Sequence, residues 1–219
     1  MKKTLVIIVC AFLAVSASAQ RARSSSSSFF SAERSDAPVT FGITTGLNFA
    51  NMAIEDEGVS ISPDSRTGFN IGLTVDLPLM ESLYIKSGLL YSTKGFKYEH
   101  GSTTETASPA YLEIPILASY RFSTNESMQF QVNFGPYLAY GIGGKWKYEK
   151  KGSTIETDFF SSENETNNFD AGLQLGAGVV FSNNYYIGAA YQWGMANVSK
   201  EDDYTFKNKN FMINIGYIF

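Results

Sequence analysis

Cysteine is nearly absent from this sequence: its 219 residues contain only Cys10, which excludes an intrachain disulfide. A single histidine, His100, excludes a metal site built from several imidazoles. Charged residues make up only 17% of the chain, and a net charge of −4 gives no reason to expect nucleic acid as a partner. Proline is also scarce, with 6 copies, whereas glycine reaches 19 copies and aromatic residues 15%. This mixture favours strands and tight turns over helices.

Long apolar runs are missing as well, apart from residues 5–15, which are too few to anchor a chain in a bilayer as a helix. Lys2 and Lys3 precede this run, and Ala17-Ser18-Ala19 follows it as a small-residue cleavage site. Together these features predict a signal peptide at residues 1–19, with Gln20 as the first residue of the mature chain.

Cys10 lies inside the apolar run, so a lipoprotein acceptor is the alternative interpretation of this segment. Ile7-Ile8-Val9 before it lacks the small residues that such a site needs. Residues 20–39 are then a Ser-rich segment that includes the unbroken run 24–28. A segment this polar cannot bury a core, so we expect a disordered linker that leads into a barrel domain at residues 40–219.

From Thr40 onward, apolar and small or polar residues alternate with a period of two. Phe41, Ile43, Leu47 and Phe49 share one face of the first predicted strand, while glycine, threonine and asparagine share the other. This periodicity indicates strands and fits no amphipathic helix. The eight predicted strands cover approximately 41–49, 68–77, 83–98, 111–122, 128–146, 169–181, 185–196 and 210–219.

The predicted connections alternate in length. Short links fall at 78–82, 123–127 and 182–184, and long polar links fall at 52–65, 99–108, 147–168 and 197–209. Three short turns between four long loops fit an eight-stranded antiparallel up-and-down transmembrane β-barrel, in which the short turns face the periplasm. The predicted fold class is therefore all-β.

The two faces of the predicted strands differ in charge. The bulky apolar face carries no charge along its middle, as a lipid-facing surface requires. The other face carries six charges, which are Asp76, Lys86, Lys94, Glu113, Arg121 and Asp170. Because an eight-stranded barrel has room inside for side chains but not for a wide channel, we expect these charges to pair in the lumen. We expect Glu113 to pair with Arg121, or with Lys86 and Lys94, in a network that stabilises the barrel; a proton or ion pathway is the alternative.

Aromatic residues cluster near the ends of the predicted strands, as in the girdles at lipid–water boundaries. They are Tyr84, Tyr91, Tyr120, Tyr140, Trp146, Tyr185, Tyr191 and Trp193. In the last predicted strand, apolar and aromatic residues alternate up to the C-terminal phenylalanine, at positions Phe211, Ile213, Ile215, Tyr217 and Phe219. This ending resembles the signal by which the outer-membrane barrel assembly machinery recognises its clients.

Several runs also resemble a known family. Tyr111-Leu112-Glu113-Ile114-Pro115 is similar to a run of the PorT-like outer-membrane β-barrel family, and the segment 87–95 resembles the stretch before it. The runs 175–178 and 190–194 resemble its later strands, so the resemblance covers about residues 40–219. It implies an outer-membrane barrel of a Gram-negative envelope and implies no reaction. A few members are accessory proteins of secretion systems, but no residues specific to that subgroup occur here.

The sequence contains few candidates for catalytic or ligand-binding residues. His100 with Ser102 is a weak candidate for a base and nucleophile, and a solvated loop histidine is the simpler interpretation. The glycines at 141–144 and 176–178 are not followed by the Lys-Ser/Thr of a phosphate loop and suggest small or bent barrel positions. Acidic residues in the long links suggest either a solvated surface or Ca²⁺ or Mg²⁺ ligands that bridge to lipopolysaccharide. They are Glu55, Asp56, Glu57, Asp64, Glu156, Asp158, Glu163, Glu165, Glu201, Asp202 and Asp203.

These observations favour a non-enzymatic outer-membrane barrel that acts as a scaffold and displays four extracellular loops. The alternatives are a narrow channel or transport accessory protein and, with inverted faces, a soluble periplasmic ligand-binding barrel. Expected partners are outer-membrane lipid, lipopolysaccharide, the barrel assembly machinery, and an envelope protein or surface glycan at the loops. We expect no cofactor, no metal and no nucleic acid.

Overall fold

The computed structural model describes residues 37–56, 59–61, 63–125, 127–150, 153–161, 166–200 and 204–219. All of them belong to one compact unit, Arg34–Phe219. The predicted signal peptide at 1–19, and all of the predicted linker except 37–39, lie outside the described residues. Within the described ranges, no helix is both long enough and apolar enough to cross a membrane.

The described residues form eleven strands. They are β1 (Thr40–Asp56), β2 (Val59–Ile61), β3 (Asp64–Pro78), β4 (Leu83–Thr93), β5 (Phe96–His100), β6 (Thr103–Asn125), β7 (Met128–Lys150), β8 (Ser153–Asp158), β9 (Phe169–Phe181), β10 (Tyr185–Gly194) and β11 (Tyr204–Ile218).

Eight of these strands form a closed antiparallel barrel. The pairs run β1–β3, β3–β4, β4–β6, β6–β7, β7–β9, β9–β10 and β10–β11. The pairing of β11 with β1, from Gly42↔Ile218 to Asp56↔Tyr204, closes the ring. Closure leaves no exposed sheet edge in the wall, which is what a β-structure in lipid requires. The predicted eight-stranded antiparallel barrel is confirmed.

Alternate residues point to opposite sides of the wall, and the bulky apolar ones point outward. Phe41 is 54% exposed and Leu73 is 63% exposed, whereas Asn48 and Asn70, on inward positions of the same two strands, are fully buried. The assignment of apolar side chains to the lipid side is therefore correct. A soluble barrel with these side chains packed around an inner cavity is excluded, because its faces would be inverted.

The predicted long polar links are largely wrong as loops, because strands extend far into them. β5 and the first residues of β6 form a hairpin, and β7 continues to Lys150 and pairs with β8. The result is a four-stranded sheet in the order β5-β6-β7-β8, which we call the outer extension, at the barrel end opposite the short turns. We call this end of the barrel the outer end. The apolar–polar alternation did not predict these strands, because they lie outside the lipid and need no apolar face. Their many threonines nevertheless suit a strand.

The short turns lie as predicted, at the end where β1 begins and β11 ends. In the turn between β9 and β10, Ser182 and Asn183 both have positive φ, 49° and 64°. The predicted single strand 83–98 is interrupted at Gly95. Its φ is +126°, a value that residues other than glycine rarely adopt. β4 therefore ends at Thr93, and the backbone N–H of the next residue, Lys94, still donates to Pro109 O on β6 at 3.0 Å.

Candidate functional site

All six charged residues that the sequence assigns to the lumen lie on the inner side of the barrel wall. Five of them are buried, with exposures between 0% for Asp170 and 6% for Arg121, and the side chain of Lys86 is 13% exposed. They divide into two groups at different heights. Lys94, Glu113 and Asp170 form the upper group towards the outer end, and Asp76, Lys86 and Arg121 form the lower group towards the short turns.

The upper group places one lysine between two carboxylates. Lys94 Nζ lies 3.0 Å from Glu113 Oε2 and 3.4 Å from Asp170 Oδ2. The ammonium also lies 4.4 Å from the centre of the Tyr137 ring and 5.4 Å from that of Tyr111. Two carboxylates and two aromatic faces thus compensate the burial of this cation, which would otherwise be strongly unfavourable.

Neutral donors also hydrogen-bond both carboxylates of the upper group. Gln192 Nε2 donates to Glu113 Oε1. Asn208 Nδ2 and the Tyr137 hydroxyl donate to Asp170 Oδ2 at 3.0 Å and 3.3 Å. The group therefore carries a formal charge of −1, and six side chains form its network. They belong to β6, β7, β9, β10 and β11 and to Lys94 just after β4, and such a network holds these strands in fixed positions.

The lower group has the opposite excess, with two cations around one carboxylate. Arg121 Nη2 lies 2.7 Å from Asp76 Oδ2, and Lys86 Nζ lies 3.6 Å from Asp76 Oδ1. Asp76 and Lys86 face each other directly in the β3–β4 register. The Arg121 guanidinium carbon lies 4.0 Å above the ring of Tyr84, and Lys86 Nζ lies 5.0 Å from the ring of Tyr186.

The pairing of Glu113 differs in part from the sequence prediction. Of the three cations considered, only Lys94 lies within ion-pairing distance of Glu113 among the described residues. Arg121 and Lys86 are instead occupied by Asp76. The physical reason is height along the barrel: the β3–β4 hairpin brings Lys86 to Asp76 near the short turns, while Glu113 lies farther up β6.

Between the two groups the lumen contains amide side chains. Asn70 Nδ2 donates to Asn48 Oδ1 at 2.7 Å and to Asn214 Oδ1 at 2.9 Å, and Gln192 Nε2 donates to Gln174 Oε1 at 3.0 Å. A cavity of about 60 Å³ lies beside them and reaches Lys86 and Tyr186. That volume accommodates a few water molecules and no larger solute. In chemical terms, the lumen is a packed polar core with small water-sized spaces.

An apolar cluster fills the lumen at the outer end. Its buried members are Met52, Phe96, Ala107, Phe159 and Val198, and Ile54, Trp146, Phe160 and Phe206 pack against it. The Phe160 ring also packs edge-on against Tyr111, with centroids 5.6 Å apart. Because Gly141 has no side chain, this ring fits against β7, where a Cβ would lie 2.1 Å from it. The cluster, which we call the mouth plug, therefore rests directly on the upper group.

Sequence reasoning missed the mouth plug and the neutral partners of the upper group. Phe159-Phe160 is an apolar pair within an otherwise polar stretch, and this contrast was the available signal. Asn208 lies in a segment that the alternation pattern assigned to a loop, so its inward direction could not be inferred.

Two predicted girdle residues are also wrong, because Tyr84 lies beneath Arg121 in the lumen and Trp146 belongs to the mouth plug. Tyr120, Tyr140, Tyr185 and Trp193 do point outward, with exposures of 42–59%.

The remaining candidate residues lie on the surface or outside the described residues. His100 ends the exposed β5 hairpin strand, and its ring stacks on Tyr98 with centroids 6.4 Å apart. Asp64, Glu156 and Asp158 are exposed, and the side chains of the other predicted acidic ligands lie outside the described residues. In the described part of the chain, no three His, Cys, Asp or Glu residues lie together as a metal site. Four predicted assembly-signal residues, from Phe211 to Tyr217, face outward on β11, and Phe219 follows it.

Comparisons with known proteins agree with this fold. The family model described as "Outer membrane protein beta-barrel domain" matches residues 19–200. No curated protein matches the chain. Among solved structures, Ail of Yersinia pestis is 20% identical, covers 83% of this chain and 99% of its own, and has a TM-score of 0.39. OprG of Pseudomonas aeruginosa is 14% identical over 82% of this chain and 95% of its own, with a TM-score of 0.41.

A further solved structure is the outer membrane enzyme PagL, which is 15% identical over 78% of this chain and 97% of its own, with a TM-score of 0.40. The fold by itself assigns no reaction.

Proposed function

Since the chain belongs to the outer membrane protein β-barrel domain family, we propose that it is a non-enzymatic scaffold that displays its outer extension at the cell surface. It is an integral protein of the outer membrane. The observation that supports the scaffold role best is the filled lumen. Ion groups and amides occupy the lumen along its length, and the mouth plug covers its outer end. Such an interior makes the barrel rigid and blocks the path of solutes.

The residues present also support the absence of catalysis. The carboxylates with the deepest burial, Glu113 and Asp170, are held by Lys94 and lie beneath the mouth plug, away from any described surface pocket. His100, the one imidazole, lies at an exposed hairpin end. Hydrolysis requires a base beside an accessible nucleophile, and these two carboxylates are buried, with Glu113 2% and Asp170 0% exposed.

Electrical recording tests the scaffold against the channel alternative. The purified barrel in a planar lipid bilayer is expected to give no steady single-channel steps, because its lumen offers only water-sized spaces. In parallel, mass spectra of outer-membrane lipids incubated with the barrel are expected to remain unchanged. Steady conductance steps would support the transport alternative instead, and new lipid masses that depend on the protein would show an enzyme.

We also propose a place within the family. The run Tyr111–Pro115 resembles the PorT-like group, and in this chain it contributes Glu113 to the upper group and the ring of Tyr111 beside it. The run therefore has a structural task in the lumen, which supports a shared barrel interior with that group. An accessory role in secretion has no support from residues specific to that subgroup.

Export and assembly are proposed on the sequence pattern. Residues 1–19 are a cleaved signal peptide, residues 20–39 a linker, and the alternation ending at Phe219 a signal for the barrel assembly machinery. The outer-membrane fraction is expected to contain a chain that begins at Gln20, measured by intact mass. Phe219→Ser is expected to reduce the amount of heat-modifiable barrel in that fraction several-fold. A chain that begins elsewhere, or an unchanged amount of the variant, would contradict the respective proposal.

A further inference from the structure

A groove of about 430 Å³ runs along the outside of the barrel wall where β6 and β7 change register. The pairs Tyr111↔Gly141 and Ala110↔Gly143 leave Ile142 as an extra residue on β7, which is a β-bulge. Directly above it, Gly144 has a φ of +136°, so the strand bends there. Bulges of this kind bend a strand, and Ile142, Gly143 and Gly144 at this bend line the groove.

The chemistry of the groove changes with height. At its lower side are Ile142 and Tyr91, and Ile142 is 49% exposed in line with the lipid-facing Tyr140 below it. Its middle consists of small residues such as Gly143 and Ser108. Its upper side carries Lys145, Lys147 and Glu156 from the outer extension. The groove thus has a lipid-facing apolar end, a hydroxyl-bearing middle and a top that carries two lysines and a glutamate.

We propose that this groove binds a phosphorylated glycolipid of the outer leaflet, an inference that rests on the proposed membrane-barrel function. An acyl chain lies against Ile142 and Tyr91. Sugar hydroxyls meet Ser108 and Glu156, and a phosphate lies between Lys145 and Lys147. An amphiphile with these three parts matches the three zones in order, and the groove opens into the band of the wall that faces lipid.

The two lysines can exchange their present partners for a phosphate. Lys145 Nζ lies 2.7 Å from Asp158 Oδ1, and Lys147 Nζ lies 2.7 Å from Glu149 Oε1. Both pairs are exposed, and exposed ion pairs contribute little to stability. The hydrogen bonds that Lys145 donates to Asp158 and that Lys147 donates to Glu149 raise the pKa of both lysines, so both ammonium groups are charged at neutral pH. A phosphate can accept charge-assisted hydrogen bonds from both lysines at once, whereas each carboxylate is paired with one of them.

Two variants test the groove from opposite ends. Gly143→Leu fills it, because a Cβ at Gly143 meets no atom within 4 Å and its φ is not in the left-handed region. The double variant Lys145→Gln with Lys147→Gln removes the cationic top. Lys97→Gln is the matched control, since Lys97 is also exposed and ion-paired, with Glu99, on the outer extension but does not line the groove.

The full barrel, folded in detergent, is titrated by native mass spectrometry with bisphosphorylated lipid A, with dephosphorylated lipid A and with glucosamine 1-phosphate. Wild type is expected to bind bisphosphorylated lipid A about tenfold more tightly than the dephosphorylated form, which corresponds to a difference of about 1.4 kcal/mol. Gly143→Leu and the double lysine variant each lose about that factor, whereas Lys97→Gln stays within about twofold of wild type.

Equal binding by all four proteins would overturn the proposal, as would equal binding of the two lipid A forms. Glucosamine 1-phosphate binding as tightly as the lipid would show a site for free phosphates and would also overturn it. Heat-modifiable migration is measured for every protein. A wild-type chain without it contradicts the membrane-barrel function, whereas a heat-modifiable wild type that does not prefer lipid A contradicts only the groove.

Discussion

Replacing Lys94 with Met is expected to lower the free energy of unfolding by about 3–5 kcal/mol, because the substitution leaves two buried carboxylates without their cation. Lys94 is 1% exposed and contacts both Glu113 and Asp170. Methionine fills a similar volume, so the loss of stability is caused by the missing positive charge and not by a cavity. Urea-dependent loss of the heat-modifiable band in phospholipid vesicles measures the change.

Two comparisons isolate the cause of this loss. Lys97→Met removes an exposed lysine that is paired with Glu99 and is expected to change stability by less than about 0.5 kcal/mol. Adding Glu113→Gln and Asp170→Asn to Lys94→Met neutralises the upper group and is expected to recover most of the loss, since replacing a whole buried ion group is often nearly neutral. If Lys94→Met were as stable as Lys97→Met, the upper group would have no structural role.

Leu73→Arg is expected to lower the free energy of unfolding by about 2–4 kcal/mol in vesicles, because it places a charge near the bilayer midplane. Leu73 lies on the outward face of β3, midway between the short turn and the outer end, and it is 63% exposed. In lipid this exposure is contact with acyl chains. The same urea titration measures the change.

Ile155 offers a matched control, since it is 62% exposed but lies on β8 of the outer extension. Ile155→Arg is expected to change stability by no more than about 0.5 kcal/mol, as substitutions at water-exposed positions generally do. Leu73 and Ile155 have nearly the same exposure, 63% and 62%. A difference between the stability losses of the two variants therefore shows that the two side chains face different solvents. Equal losses at both positions would mean that Leu73 does not face lipid.

Much of the barrel could be predicted because its signals are local. Period-two alternation, as in residues 41–49, indicates both that the segment is a strand and which of its faces is apolar. Short turns such as Ser182–Asn184 lie between two such segments and were equally visible. The outer extension could not be found in this way, because strands such as β8 have water on their exposed face and need no apolar partner there.

The pairing inside the lumen was only partly predictable. Asp76 and Lys86 lie on neighbouring strands joined by a short turn, so the hairpin register brings them together. Lys94 and Asp170 are 76 residues apart; Lys94 follows β4 and Asp170 belongs to β9, and these two strands are not neighbours in the wall. Phe160 reaches Tyr111 only because the segment after β8 folds over the outer end of the barrel.

The amino-acid sequence by itself determined which side of each barrel strand meets lipid and which meets the interior, because the alternation of side chains along an extended backbone is a property of consecutive residues. Only the tertiary structure decided which lumen charges meet, how the mouth plug covers them and where the bulge opens a groove. Those contacts depend on how eight strands are staggered when the ring closes, and the stagger is a property of the whole sheet that no single strand carries.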